Sequence, residues 1–253
     1  MANQPNPGQT RELNLKKIAD QFIGGLQHHF DMLAFNLASR EAATEEAYHR
    51  HSKAPGMMPA EGAHRNFEQM QAHARDLLFG QIVNDALNLS VSCMHNVHLF
   101  LALVKARSEH GELTEEAQKE AQRVQQKFLQ MPLDQKFNLL EEEYEIMCEL
   151  EDTVLSFGFV MQAVAQQRGI VQKAQLDEQQ ELKLELKQAP ENESPGDVWR
   201  NPRALETVVK VFRDGEKIVF SDLELQTIIL TVTVFAHQLF TSVFRYAQEN
   251  NKS

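Results

Sequence analysis

Two stretches of this chain, residues 86–104 and 225–244, contain no formally charged side chain. Each approaches the roughly 20 residues needed to cross a bilayer. Both nevertheless carry many polar groups. The first holds Asn88, Ser90, Ser92, His95, Asn96 and His98; the second holds Gln226, Thr227, Thr231, Thr233, His237, Gln238, Thr241 and Ser242. Hydrocarbon offers these groups no hydrogen-bonding partner, so burying them in a membrane is costly. The facing helices of a bundle can satisfy them. Both segments therefore read as central helices of a water-soluble, mainly α-helical protein, with no membrane partner.

The same helical period recurs along the chain. Leu15, Ile18, Phe22, Leu26, Phe30, Leu33 and Leu37 recur at steps of three and four, which predicts a first helix reaching about residue 50. Pro55, Gly56, Pro59 and Gly62 mark residues 51–62 as a loop. A second helix starts near Arg65, carries Phe79, Ile82, Ala86, Leu89, Cys93, Val97, Phe100 and Val104, and stops around His110 and Gly111. Thr114 is an N-cap candidate, with Glu115 and Glu116 in the favourable first turn of a short charged helix ending at Gln130.

Pro132 suits the first turn of a further helix whose apolar face runs Phe137, Leu140, Tyr144, Met147, Val154, Met161 and Val164, with Gly169 as its stop. The segment Glu181 to Lys187, ELKLELK, alternates as a strand does. TVVKVF and EKIVF flank Arg213-Asp214-Gly215 and predict a hairpin. Ser221 and Glu224 form a capping-box pattern opening the last helix, whose apolar face runs Leu225, Ile228, Ile229, Val232, Phe235, Leu239, Val243 and Phe244. The expected fold is mainly α: a bundle of about four long helices with a small β-hairpin inserted before the last. Its expected organisation is a disordered tail over 1–12, the bundle over 13–189, a linker over 190–197, and the hairpin plus C-terminal helix over 198–253, packing on the same bundle.

A length of 253 residues allows a substantial core in one domain or two. The net charge of −11 disfavours broad attraction to nucleic acid or anionic membranes. DNA is therefore not an expected partner, while a local site for RNA stays open. Cys93 and Cys148 both lie in helical-looking apolar stretches and read as buried thiols; no C-x-x-C or zinc-finger spacing is present. The polar N-terminus MANQPNPGQT has the character of neither a signal peptide nor a targeting helix, so the default compartment is the cytoplasm.

Nine of the ten histidines precede residue 111, which raises a metal hypothesis. His95 and His98 lie one helical turn apart, with His28, His29, Asp31, His49, His51, His64 and His73 as companions. The paired Glu-x-x-His of di-iron bundles is absent, so no metal ligands are assigned and no cofactor is expected. The preferred reading puts Gln81, Asn84, Asn88, His95 and His98 on one polar stripe opposite Cys93, bonded to neighbouring helices or facing water. The acidic run Glu141, Glu142, Glu143, Glu145, Glu149, Glu151 and Asp152 reads as a solvated helix face. G-x-S-x-G, P-loop and dinucleotide fingerprints are all missing.

A helix with FGQIVNDALNLSVSCMHNVHLFLALV is followed by MPLDQKFNLLEEEY, a helix ending QAVAQQRGIVQKAQL, the hairpin-like GEKIVF and a closing helix. This order, over residues 65–249, resembles the HEPN superfamily of helical-bundle proteins, many of them RNases in toxin and phage-defence systems. Their diagnostic segment is an Arg, usually followed by a polar residue (often Asn), with a His about five residues after the Arg, the pair acting on RNA across a dimer interface. The matching segment here is Arg168-Gly169-Ile170-Val171-Gln172, which keeps the Arg, places Gly169 at the polar position and contains no His. Gln172 can hydrogen-bond but cannot titrate near neutral pH. The resemblance thus implies a non-catalytic protein that associates with itself or with a protein partner, in a defence or toxin-type setting. Two alternatives stand beside it. One is a ribonuclease with a non-standard site, its candidate catalytic residues being Arg168, His95 and His98, with His237 as a further imidazole. The other is a metal-binding bundle.

Overall fold

A computed structural model of the chain describes residues 14–51, 66–111, 113–190 and 205–250. Seven α-helices and two strands are found among them: α1 (Leu15–Glu41), α2 (Glu45–His51), α3 (Phe67–His110), α4 (Glu115–Gln130), α5 (Leu133–Tyr144), α6 (Glu151–Gln167), β1 (Leu182–Gln188), β2 (Glu206–Phe212) and α7 (Asp222–Asn250). The protein is mainly α, with a small antiparallel sheet ahead of the last helix. The anticipated tail over 1–12, the loop over 52–62 and residues 191–197 of the anticipated linker lie outside the described residues.

Local chemistry sets the helix ends. The Thr114 hydroxyl accepts the Ala117 N–H at 3.1 Å and opens α4. Ser221 and Glu224 reciprocate at the start of α7: the Ser221 hydroxyl accepts the Glu224 N–H, and the Glu224 carboxylate accepts the Ser221 N–H. Two expected long helices are each divided. The first ends at Glu41 instead of about residue 50, because Thr44 accepts the Ala47 N–H at 3.2 Å and starts α2 anew. The helix expected from Pro132 to Gly169 breaks after Tyr144. There Glu145 adopts a left-handed conformation with φ 54°, and its N–H closes on the last carbonyls of α5. Met147, expected in the core, falls in this break and is 70% exposed. Cys148 lies in the same break and is half-buried, whereas Cys93 is buried within α3. Phe30 and Phe244 sit on helix faces turned to solvent and also leave the expected core.

β1 pairs with β2 in antiparallel register, Leu182 opposite Phe212, Leu184 opposite Lys210 and Leu186 opposite Val208. The second half of the expected hairpin, residues 216–220, does not pair with β2. Gly215, at φ 81°, turns the chain away, and Lys217 forms a single bridge with Ile170. The alternating leucines of β1 explain the choice of partner. Leu182, Leu184 and Leu186 are all buried, and β2 extends that face with Phe212.

The described residues fall into two compact units. The first takes α4, α5, the start of α1 and the C-terminal parts of α3 and α7, with a core that includes Phe22, Met94, Val97, Phe128, Phe137, Leu140 and Val243. The second takes α2, α6, the sheet and the remaining parts of those three helices, with a core that includes Leu33, Val83, Val154, Phe157, Leu184 and Phe235. Within the second unit Gly80 lets α3 run close to α6, since a Cβ there would meet the Val164 side chain at 3.2 Å. By length and composition α3 and α7 are apolar enough to cross a membrane, and 39% and 56% of their most apolar windows are buried in the fold.

Candidate functional site

His95 and His98 come together in the first unit, against α4 and α5. His98 is fully buried, its ring stacked on Phe128 at 3.9 Å and 2° between planes, with Tyr144 edge-on at 5.8 Å. Gln125 joins the two histidines. Its amide nitrogen donates to the His95 main-chain carbonyl at 2.9 Å. That carbonyl can only accept, so the amide oxygen of Gln125 must face His98 and receive a proton from its Nδ1. His98 is therefore the neutral Nδ1–H tautomer, and its buried Nε2 has no partner among the described residues; neither does the buried Nε2 of His95.

Electrostatics hold both rings neutral. Burial pushes the His98 pKa down, against an upward pull from the Gln125 bond. Burial is also the main cause lowering His95, followed by the nearby Lys136 charge and then His98. Lys136 is only 5% exposed. Its ammonium donates to the carbonyls of Leu129 and Met131, where α4 leaves acceptors unpaired, and lies 5.6 Å from the Phe128 ring centre. Burial lowers its pKa as well. Lys136 occupies an apolar-face position between Leu133 and Leu140, a signal that could have placed it in the core from sequence.

A proton-transfer group must come within hydrogen-bond reach of its substrate. His98 has no exposed surface, lying stacked on Phe128 with Tyr144 edge-on, whereas His95 is half-buried. The expected polar stripe divides: Gln81, Asn84 and Asn88 face solvent, while His98 is internal. The remaining candidate ligands go elsewhere, His29 to Asp85 at 3.1 Å and His49 to Glu45 at 3.5 Å, and His64 lies outside the described residues. Among the described residues no group of three or more His, Cys, Asp or Glu is placed to hold a metal ion. Most of the acidic run is exposed, with Glu143 paired to Lys105 at 2.7 Å.

Arg168 belongs to the second unit, where it is the C-cap of α6. It takes a left-handed conformation at φ 57°, and its N–H closes on the Ala163 carbonyl. Gly169 follows at φ 79°. The main chain then pairs with the turn after β2: Val171 donates to Glu216 at 2.9 Å, and Ile218 donates to Gly169 at 2.8 Å. The Gln172 side-chain oxygen accepts from Gln167 at 3.0 Å. A left-handed conformation costs a residue with a side chain about 1–2 kcal/mol, and glycine avoids that strain. Arg168→Gly is therefore expected to raise stability by about 0.5–1 kcal/mol, and Gly169→Ala to lower it by about 1 kcal/mol, in urea unfolding. A loss of stability in Arg168→Gly would refute a purely conformational account of this position.

No family model matches the chain, and neither the curated proteins nor the solved structures contain a match to it.

Proposed function

We propose that this chain is a non-catalytic, HEPN-like helical protein that acts by associating with protein chains, itself included. The carrying observation is the condition of residues 168–172. Arg168, the position matched to the family's Arg by resemblance, terminates a helix; the next three residues make backbone pairings with residues 215–218; and residues 169–172 contain no imidazole. The sealed state of His98 supports the same reading. So do the exposed apolar side chains of the second unit, among them Val209, Val219 and Leu223, each more than half exposed.

The test combines two measurements on the full chain. Incubation with several structured and unstructured RNAs is expected to leave them intact. Light scattering at working concentration is expected to give a mass above that of one chain. Cleavage by the wild type, lost in a folded Arg168→Ala variant, would replace this reading with a ribonuclease. A strictly single-chain mass would count against association.

A further inference from the structure

The two edges of the small sheet are treated differently. On the outer edge of β1, Thr153 of α6 donates its hydroxyl proton to the Glu185 carbonyl at 3.1 Å, and the Lys187 N–H donates to the Thr231 hydroxyl of α7 at 2.8 Å. Helices therefore close that edge. These bonds also fix which residues point outward. Residues facing each other across an antiparallel pair share their hydrogen-bonding direction. Glu185 and Lys187 direct their main-chain groups away from β2, so their partners Val209 and Thr207 direct theirs away from β1, as does Val211 opposite Lys183. Among the described residues nothing caps those groups on β2.

β2 also lacks the usual protection of an exposed edge, which is a proline, a bulge or an outward lysine. Its one lysine, Lys210, turns to the sheet's other face, where its ammonium meets Glu224 at 2.7 Å and lies 4.3 Å from the Phe220 ring centre. The outward row is Thr207, Val209 and Val211, uncharged and β-branched, with Val209 51% exposed.

We infer that the open edge of β2 pairs with β2 of a second copy of this chain, antiparallel about a twofold axis at Val209, giving a four-stranded sheet. This rests on the association reading above and names its partner and surface. Self-pairing is favoured by register and by charge. Centring on Val209 sets Thr207 against Val211 of the other copy, and the Val209 pair and both Thr207–Val211 pairs each exchange two main-chain bonds. A chain of net charge −11 repels its own kind, so contact between copies calls for a seam without opposed like charges. This register provides one. The seam residues on the outward face are neutral, and on the other face Glu206 of each copy lies opposite the uncharged Phe212 of the other.

The test is light scattering of the full chain with backbone amide exchange read at β2. The wild type should show twice the mass of one chain, with exchange at Thr207, Val209 and Val211 slowing as concentration rises. Val209→Lys, which faces two ammonium groups across the axis, should halve the mass and restore fast exchange, while Val209→Thr keeps the pair. Should Val209→Lys fail to fold, the concentration dependence of exchange in the wild type decides alone. A two-chain mass that survives in folded Val209→Lys, or β2 amides that stay fast in a dimeric wild type, overturns this interface and leaves association standing. A single-chain wild type overturns both.

Discussion

Phe128→Ala is expected to lower the free energy of unfolding by about 3–5 kcal/mol in denaturant titrations at pH 8. The ring is completely buried, and three polar groups depend on its faces and edges: His98 stacked at 3.9 Å, His95 edge-on at 6.0 Å and the Lys136 ammonium at 5.6 Å. Removing it leaves a cavity bordered by these three polar groups. A loss below about 1 kcal/mol would mean that α4 can collapse onto α3 and refill the space, contrary to close packing here. The same cluster sets a pH dependence. Burial lowers the His98 pKa, so between that value and about 6.5 the unfolded chain holds a proton the folded chain refuses. Stability rises with pH wherever the unfolded state binds more protons. The contribution is therefore complete above about pH 6.5 and declines below it, by at most about 1.4 kcal/mol per pH unit for one histidine. Replacing both partners, His98→Leu with Gln125→Leu, should flatten the wild-type slope between pH 7 and 5. An unchanged slope would show that His98 takes up its proton without unfolding.

Helix positions were legible in the sequence because apolar side chains at steps of three and four, bounded by Thr114 or Ser221, leave little choice of local structure. The breaks were less legible. Nothing in the apolar period around Tyr144 announces that Glu145 will turn left-handed, since Met147 continues the pattern while standing in solvent. Strand pairing was misassigned for a related reason. Asp214-Gly215 signals a turn, but the partner of β2 was decided by the buried leucine row of β1, a contact distant in sequence. His95 and His98 stood out as a pair; Gln125, which fixes the His98 tautomer, did not, because a glutamine on a charged helix looks like any solvated residue until the facing helix is known. The Arg168 segment stood out only through the family resemblance. Its use as a helix stop followed by backbone pairing depends on the turn at Gly215, which sequence spacing does not bring near it.

Leu184→Ala should cost about 2–5 kcal/mol, and Glu185→Ala, one residue on, no more than about 0.5 kcal/mol. The difference comes from the pleat, which sends successive side chains to opposite faces. Leu184 is fully buried in the centre of the Leu182–Leu186 row, opposite Lys210, whose ammonium is held over Phe220 and against Glu224. The Glu185 side chain is exposed, and its structural role lies in the main-chain carbonyl that accepts from Thr153, a bond alanine retains. Truncating Leu184 thus opens a void in the second unit at its two-stranded sheet, while truncating Glu185 leaves both sheet edges as they are. ELKLELK also suits a charged helix, and in a helix these two positions would lie about 100° apart on a largely solvated surface. Their truncations would then have similar, small effects. Chemical denaturation of the two variants therefore discriminates between the conformations, and equal losses would sink the strand, the leucine row and the β2 register built upon them.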